Sequence, residues 1–300
     1  MKKSFLRLTA LLCSFTLLLC GCASSPDHAP DAQKEAGDTP RIVSTSVAIC
    51  EILDALEYDD VIGVPVTEFD LPARYAGAEK IGAPMSPDLE KITQLSPDLV
   101  LSPQSLEGDL SVKYTNAALN AGFLDLSNVD GMYDAIVSLG ELLGREAQAQ
   151  KLLAERDAFL KGFTFDAEET PSILLLMAFP DGFYLIATEN SYVGNLVKLA
   201  GGKNVYGNDY KGDENGFVNI NAEDIVQRDA DYILVFAHYG EQAAFDYMQH
   251  EFETNKTWQY FDAVQNGRVI YLPRATFGMS ASLSWTEGLD YLKPLLHPGD

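Results

Sequence analysis

The chain has 300 residues, 47% hydrophobic and 22% charged, a globular composition with room for two domains and their cores. Its formal net charge of −23 excludes the basic footprint that nucleic-acid binding needs. Such acidity favours solubility and docking onto a basic partner.

The first segment reads as a targeting sequence, residues 1–21. Lys2, Lys3 and Arg7 precede "LTALLCSFTLLLC", an apolar stretch too short to span a bilayer comfortably. It runs into "LLCGCASS", which resembles the lipobox of bacterial lipoproteins, with Cys22 as the residue to be acylated and Cys20 in an unusual position. Two acyl chains on Cys22 would give stable anchoring where one is marginal. Only Cys50 then remains in the folded part, which excludes an internal disulfide and a cysteine-based metal site. Residues 22–40, "CASSPDHAPDAQKEAGDTP", offer almost nothing to bury and read as a disordered tether that includes His28.

From Arg41 short apolar runs alternate with amphipathic segments, the pattern of an α/β fold. "RIVSTS" predicts a strand, "AICEILDALEY" a helix, and "VIGVPV" and "LVLS" further strands. "GMYDAIVSLGELLG" predicts a helix stopped by Gly144. "REAQAQKLLAERDAFLKGF" predicts a polar-faced helix of about 19 residues, roughly 28 Å long. Beyond "DAEETP" the alternation resumes with "SILLLMAF" and "FYLIAT". These segments predict an N-terminal lobe over 41–129, a connecting helical region over 130–165 and a C-terminal lobe over 170–300.

A weak internal repeat supports two lobes. "EKITQLSPDLVL" (90–101) aligns without gaps to "EDIVQRDADYIL" (223–234) at an offset of 133 residues. The offset matches Glu90 with Glu223, Ile92 with Ile225, Gln94 with Gln227 and Asp98 with Asp231. Duplicated geometry would put Glu90 and Glu223 at equivalent exposed sites on the two lobes.

Few side chains announce chemistry. Of the four histidines, His238 is distinctive because it follows the apolar strand "YILVFA", at the strand end where open α/β sheets bind ligands. It reads either as a ligand or as a hydrogen-bonded loop histidine. In "KIGAPMSPDLEKI", Ser86 predicts an N-cap, Pro87 the first helical residue and Asp88 a favourable first-turn charge. Met85 then precedes the cap, and its staple position is occupied by the charged Glu90. That leaves two uses for Met85, distant packing or a role for its sulfur; Met279 in "FGMSAS" is the rival loop methionine. No nucleophile elbow, phosphate loop, His-Glu-x-x-His or Cys-x-x-Cys occurs, so the sequence does not predict an enzyme.

"RIVSTSVAICEILDAL", "SPDLEKITQLSPDLVLS" and "YLIATENSYVGNLVKLAGGKNV" resemble the class III substrate-binding lipoproteins of ABC importers, which serve siderophore, cobalamin and haem uptake. "TEFDLPARY", "IGAPMSP", "FAHYGE" and "EFETNKTWQYFDAVQNGRVIYL" narrow the likeness to the haem-receptor lipoproteins of the iron-regulated surface determinant system of Gram-positive bacteria, over essentially all of 41–300. The resemblance implies two Rossmann-like α/β lobes joined by a single long helix, with the ligand in the inter-lobe cleft. It implies haem b as transported ligand, with its iron held axially by Met85 and His238. Docking on the permease through Glu90 and Glu223 is implied too. Partners would be the permease and its ATPase, cell-surface haem-binding proteins upstream, and membrane lipid through Cys22 on the outer face of the cell membrane. Thioether and imidazole are neutral ligands suited to haem iron, and filling both axial positions leaves no site for oxygen activation. Haem propionates would meet the free N–H groups of the helix start at Thr45, Ser46 and Val47. The alternative on the same scaffold is a ferric siderophore or a corrinoid, for which Arg74, Arg274 and Trp285 are the cleft residues.

Overall fold

The computed structural model describes residues 39–165, 170–207, 210, 212–213, 215–220, 225, 227–228 and 230–299. The targeting segment, Cys22, the tether to residue 38 and Glu223 lie outside the described residues.

The N-terminal lobe is built on a five-stranded, wholly parallel sheet in the order β3-β2-β1-β6-β7. In chain order it contains β1 (Ile42–Ser44), α1 (Val47–Ala55), β2 (Val61–Val64) and β3 (Glu79–Lys80). A small antiparallel hairpin of β4 (Gly82–Ala83) and β5 (Ser86–Pro87) follows, then α2 (Leu89–Leu95), β6 (Leu99–Pro103), α3 (Glu107–Asn116) and β7 (Ala121–Leu124). From the central β1 the chain goes first to one side and then, at β6, to the other. The loop after β1 and the end of β6 therefore flank a topological switch point, where open α/β sheets bind ligands.

Two helices follow, α4 (Val129–Leu143) and α5 (Glu146–Gly162). Asn128 caps α4 by accepting from the Gly131 N–H, and Gly144 ends it in the left-handed region at φ 64°. The 17 residues of α5 span about 25 Å and carry the chain to the second lobe.

The C-terminal lobe holds β8 (Ser172–Phe179), β9 (Phe183–Ala187), α6 (Tyr192–Leu199), β10 (Lys203–Asn204), β11 (Phe217–Val218) and β12 (Tyr232–Ala237). They are followed by α7 (Glu241–Thr254), α8 (Asp262–Gln265), β13 (Val269–Tyr271) and α9 (Trp285–Leu296). The sheet runs β11-β9-β8-β12-β13, with β10 pairing β8. Unlike the first sheet it is mixed: β9 returns antiparallel to β8 through Pro180, Asp181 and Gly182, the last at φ 86°. A three-residue connection allows only an antiparallel pair, so these two apolar runs form a hairpin and not a βαβ unit.

One hydrophobic cluster runs through both lobes, from Ile49, Ile52 and Leu53 of α1 across Met132 and Ile136 of α4 to Leu175, Leu196 and Trp285. Trp285 lies edge-on to Tyr133 and Phe159 and donates its indole N–H to the Tyr133 hydroxyl at 3.2 Å. Asn195 accepts the Val129 N–H at 3.0 Å, and Ala281 donates to the Leu126 carbonyl at 2.7 Å, so the connecting helices and the second lobe are tied on this side. Cys50 is fully buried against Ser44, and burial pushes its thiol up to about 11, which makes it inert at neutral pH.

The repeat has a structural counterpart in its aspartates. Asp98 accepts the Arg41 N–H at 2.8 Å just ahead of β1; Asp231 accepts the Ser172 N–H at 2.7 Å and its hydroxyl at 2.6 Å at the start of β8. The strand registers match as well, with Ile42 facing Leu99 and Ile173 facing Tyr232. The Ser172 hydroxyl, and then its N–H, hold the Asp231 carboxyl below its ordinary 3.8. The stabilisation is therefore complete above pH 3.8 and is lost as pH falls through the lower folded value. Asp231→Asn is expected to lower unfolding free energy by about 1–2 kcal/mol at pH 7, after discounting for exposure. It should also flatten the acid limb of stability, as measured by urea unfolding between about pH 2 and 7.

Candidate functional site

Both sheets point the carboxyl ends of their central strands into the space between the lobes. On the N-terminal side the switch point carries Thr45, Ser46 and Val47. Thr45 is fully buried and its hydroxyl donates to Ser102 at 2.9 Å, so its side chain is committed inward. Ser46 caps α1 by accepting the Ile49 N–H at 3.2 Å. The first-turn N–H groups of Val47 and Ala48 remain as the donors any helix start leaves without intrahelical partners.

Met85 sits elsewhere than the sequence suggests. It occupies, with Pro84, the two-residue turn of the β4–β5 hairpin and is 59% exposed. Asp88 caps α2, accepting the Lys91 N–H at 3.1 Å, so the expected cap at Ser86 and helix start at Pro87 are corrected to Asp88 and Leu89. Ser and Asp are nearly equal as caps, and the pairing of Gly82 with Pro87 decides between them by drawing Ser86 and Pro87 into a strand. Gly82 adopts φ 93°, where a side chain would be strained and where an added Cβ would lie 3.0 Å from the Asp88 nitrogen. The staple argument for Met85 therefore does not apply. Glu90 becomes the second residue of α2 and is exposed.

His238 follows β12 on the C-terminal side, its N–H donating to the Ala178 carbonyl at 3.1 Å. Its ring packs 5.2 Å from Phe179 and 5.6 Å from Tyr239, and Phe179 in turn contacts Phe183 at 5.4 Å. The enclosed Nδ1 has no hydrogen-bond partner among the described residues. Burial first, and then the charge of Arg274, lower the imidazole from its ordinary 6.5, so the ring stays neutral at physiological pH.

Arg274 links the two sides. Its Nε donates to the His238 carbonyl at 3.0 Å, its N–H to Glu241 at 2.7 Å, and its guanidinium pairs with Glu68 of the other lobe. The same guanidinium lies 4.7 Å from the Phe69 ring centroid. The loop carrying Glu68 and Phe69 is joined to the Met85 hairpin by the Val66 N–H, which donates to the Gly82 carbonyl at 2.8 Å. Met85 and His238 are thus connected through one path of contacts, although neither touches the other directly.

Nine large apolar side chains are left exposed among the described residues, and five of them flank this place: Val66, Phe69 and Met85 on one lobe, Phe183 and Tyr239 on the other. Scattered exposure is ordinary, but this clustering on both walls marks a surface meant to be covered. Sequence reasoning assigned no role to the aromatic members or to Glu68; "TEFDLPARY" and "FAHYGE" carried Phe69 and Tyr239 only as family likeness. A cavity of about 420 Å³ lies at the other end of the cleft, lined among others by Gln104, Asp125, Tyr192, Asn215 and Met279. Neither Met85 nor His238 lines it.

The remaining predicted residues have structural duties. Arg74 pairs with Asp54 at 2.7 Å and with Asp59, and Trp285 is core. His297 is buried, contacts the Ala200 carbonyl at 2.8 Å and stacks on Phe165, while His250 is exposed on α7. No group of three or more His, Cys, Asp or Glu that could hold a metal occurs among the described residues. No helix among them is long and apolar enough to cross a membrane.

A sequence profile of the periplasmic binding protein family matches residues 42–276. The chain is 32% identical over 293 residues, 97% of both sequences, to the high-affinity heme uptake system protein IsdE of Staphylococcus aureus strain Newman. Among solved structures it is similar to an ABC transporter substrate-binding protein from Listeria monocytogenes EGD-e, with 38% identity, a TM-score of 0.79, and 87% of this chain and 100% of that one covered. It is also similar to S. aureus IsdE complexed with heme, at 32% identity and a TM-score of 0.80, over 86% of this chain and 99% of that one. The vitamin B12 binding protein BtuF of Vibrio cholerae, 17% identical with a TM-score of 0.64 over 86% of this chain and 96% of that one, shares the fold. These relatives are binding proteins of transport systems and not enzymes.

Proposed function

The chain belongs to the periplasmic binding protein family, and from that premise we propose that it binds haem between its lobes and delivers it to a membrane permease. The observation that carries this is the pairing of two neutral ligands with an apolar lining. A thioether stands at a hairpin tip on one lobe, an imidazole at a strand end on the other, and exposed apolar side chains flank both. Haem supplies four equatorial nitrogens of its own, so one methionine and one histidine complete its coordination. With Nδ1 enclosed, His238 would coordinate through Nε2. The porphyrin faces would draw most of the affinity from burial against Val66, Phe69, Phe183 and Tyr239. The propionates would reach the N–H groups at Val47 and Ala48, beside Thr45 and Ser46. The likeness to IsdE over nearly the whole chain supports the same reading. Anchoring through Cys22 at the outer face of the membrane, and docking through Glu90 and Glu223 onto the permease and its ATPase, complete the proposal.

Haemin added to the purified protein is expected to bind one to one with a sharp low-spin Soret band. Because the His238 imidazole is held below its ordinary 6.5, the band should persist as pH falls through 6.5 and decay only beneath it. Tight binding of a ferric siderophore or a corrinoid with no haem uptake would replace haem by that ligand class. A loss of the low-spin band centred at or above pH 6.5 would remove His238 as ligand.

A further inference from the structure

Arg274 makes more contacts than a surface arginine needs. It spans from the carbonyl of His238 to Glu68 and Phe69 on the opposite lobe, while its own backbone N–H is fixed by Glu241. The 65–69 loop it grips is bonded at Val66 to Gly82, the first residue of the hairpin whose turn carries Met85. We propose that Arg274 is a positioning residue that sets the separation of Met85 from His238, clasping the loop behind one to the backbone of the other. The inference rests on the haem reading above and adds to it a residue that touches neither the iron nor the porphyrin by necessity.

The physical argument is one of rigidity. The β4–β5 hairpin has two residues per strand and an exposed tip, so by itself it would hold the Met85 sulfur loosely. A ligand bond requires the donor within a few tenths of an ångström, and the short hairpin gains that order only by being tied to something firm. Arg274 suits the task because a guanidinium is a planar fork that donates in two directions at once: Nε toward His238, the terminal nitrogen toward Glu68. A lysine offers a single point charge and could satisfy one of these partners but not both. Glu68 is largely exposed, so its removal leaves the core untouched.

The test compares Glu68→Gln, Arg274→Gln and Arg274→Lys with Met85→Ala and His238→Ala in the full chain. Each is loaded with ferric haem and read by its absorbance spectrum and by the rate of haem loss to an excess of a scavenging apoprotein. Glu68→Gln and Arg274→Gln are expected to speed haem loss about threefold to fivefold and to weaken the thioether-to-iron charge-transfer band while histidine ligation persists. Arg274→Lys should not restore it. In the Met85→Ala background Glu68→Gln should add nothing, because its effect passes through Met85. A clasp variant that matches the parent in both readouts, while Met85→Ala and His238→Ala change them, would overturn the positioning role and leave haem binding standing. Indifference of the spectrum to Met85→Ala and His238→Ala would instead remove the reading on which it rests. An equal effect of Glu68→Gln with and without Met85 would overturn it too, as a general loosening of the lobes.

Discussion

His238→Ala is expected to abolish the low-spin haem spectrum, and Met85→Ala to convert it to one with a single protein ligand. Both should bind haem at least 10–100-fold more weakly, the range already seen when a group that merely orients a metal ligand is lost. The histidine effect should be the larger. His238 is partly enclosed by Phe179 and Tyr239, so its ring is held in place before haem arrives. Met85 stands exposed at a turn and must be ordered on binding, which offsets part of what its bond contributes. Truncating Met85 touches no core residue, so a change in its spectrum reports ligation and not folding. Met279→Ala is the control, because Met279 lines the cavity at the far end of the cleft. A spectrum that ignored the first two variants and responded to Met279→Ala would move the iron site to that cavity.

The second large effect is expected in transport. Glu90→Lys combined with Glu223→Lys should reduce haem uptake by roughly 100-fold while haem binding by the purified protein is unchanged. Placing like charges against a basic docking surface costs several kcal/mol, and each 1.4 kcal/mol is a factor of ten. Glu90 is exposed at the second position of α2, where a lysine opposes the helix dipole by only about 0.3–1 kcal/mol, so the fold should survive. Single reversals should give intermediate losses. Undiminished uptake by cells expressing the double variant would remove both glutamates from the interface.

Much of the scaffold could be read directly. The runs "SILLLMAF" and "YILVFA" are β8 and β12, buried on both faces and therefore apolar throughout. Gly144 stops α4 where expected, and the Asp98–Asp231 match proves to be a shared way of fixing the start of each lobe's central strand. The Met85 hairpin was not legible, because Ser86 and Asp88 both suit a helix cap and only a pairing two residues long separates them. The β8–β9 hairpin was obscured in a similar way, since "FYLIAT" has strand character whichever direction it runs. Arg274 and Glu68 lie 206 residues apart, so no local pattern could bring them together. The place of His238 was legible because its signal is positional, a polar residue at the carboxyl end of an apolar strand.

The two sides of the cleft differ in how they resist being parted. Where α4 and α5 meet α9, Trp285 is wedged between Tyr133 and Phe159. Exposing one such ring forfeits about 4–6 kcal/mol of apolar burial. The opposite side is fastened by an ion pair within reach of water, a bond of about 1 kcal/mol or less. The two edges are thus held unequally, as in a book whose spine is glued and whose covers are held by a ribbon. Met85 and His238 stand on the ribbon side, and the glued spine lies behind them.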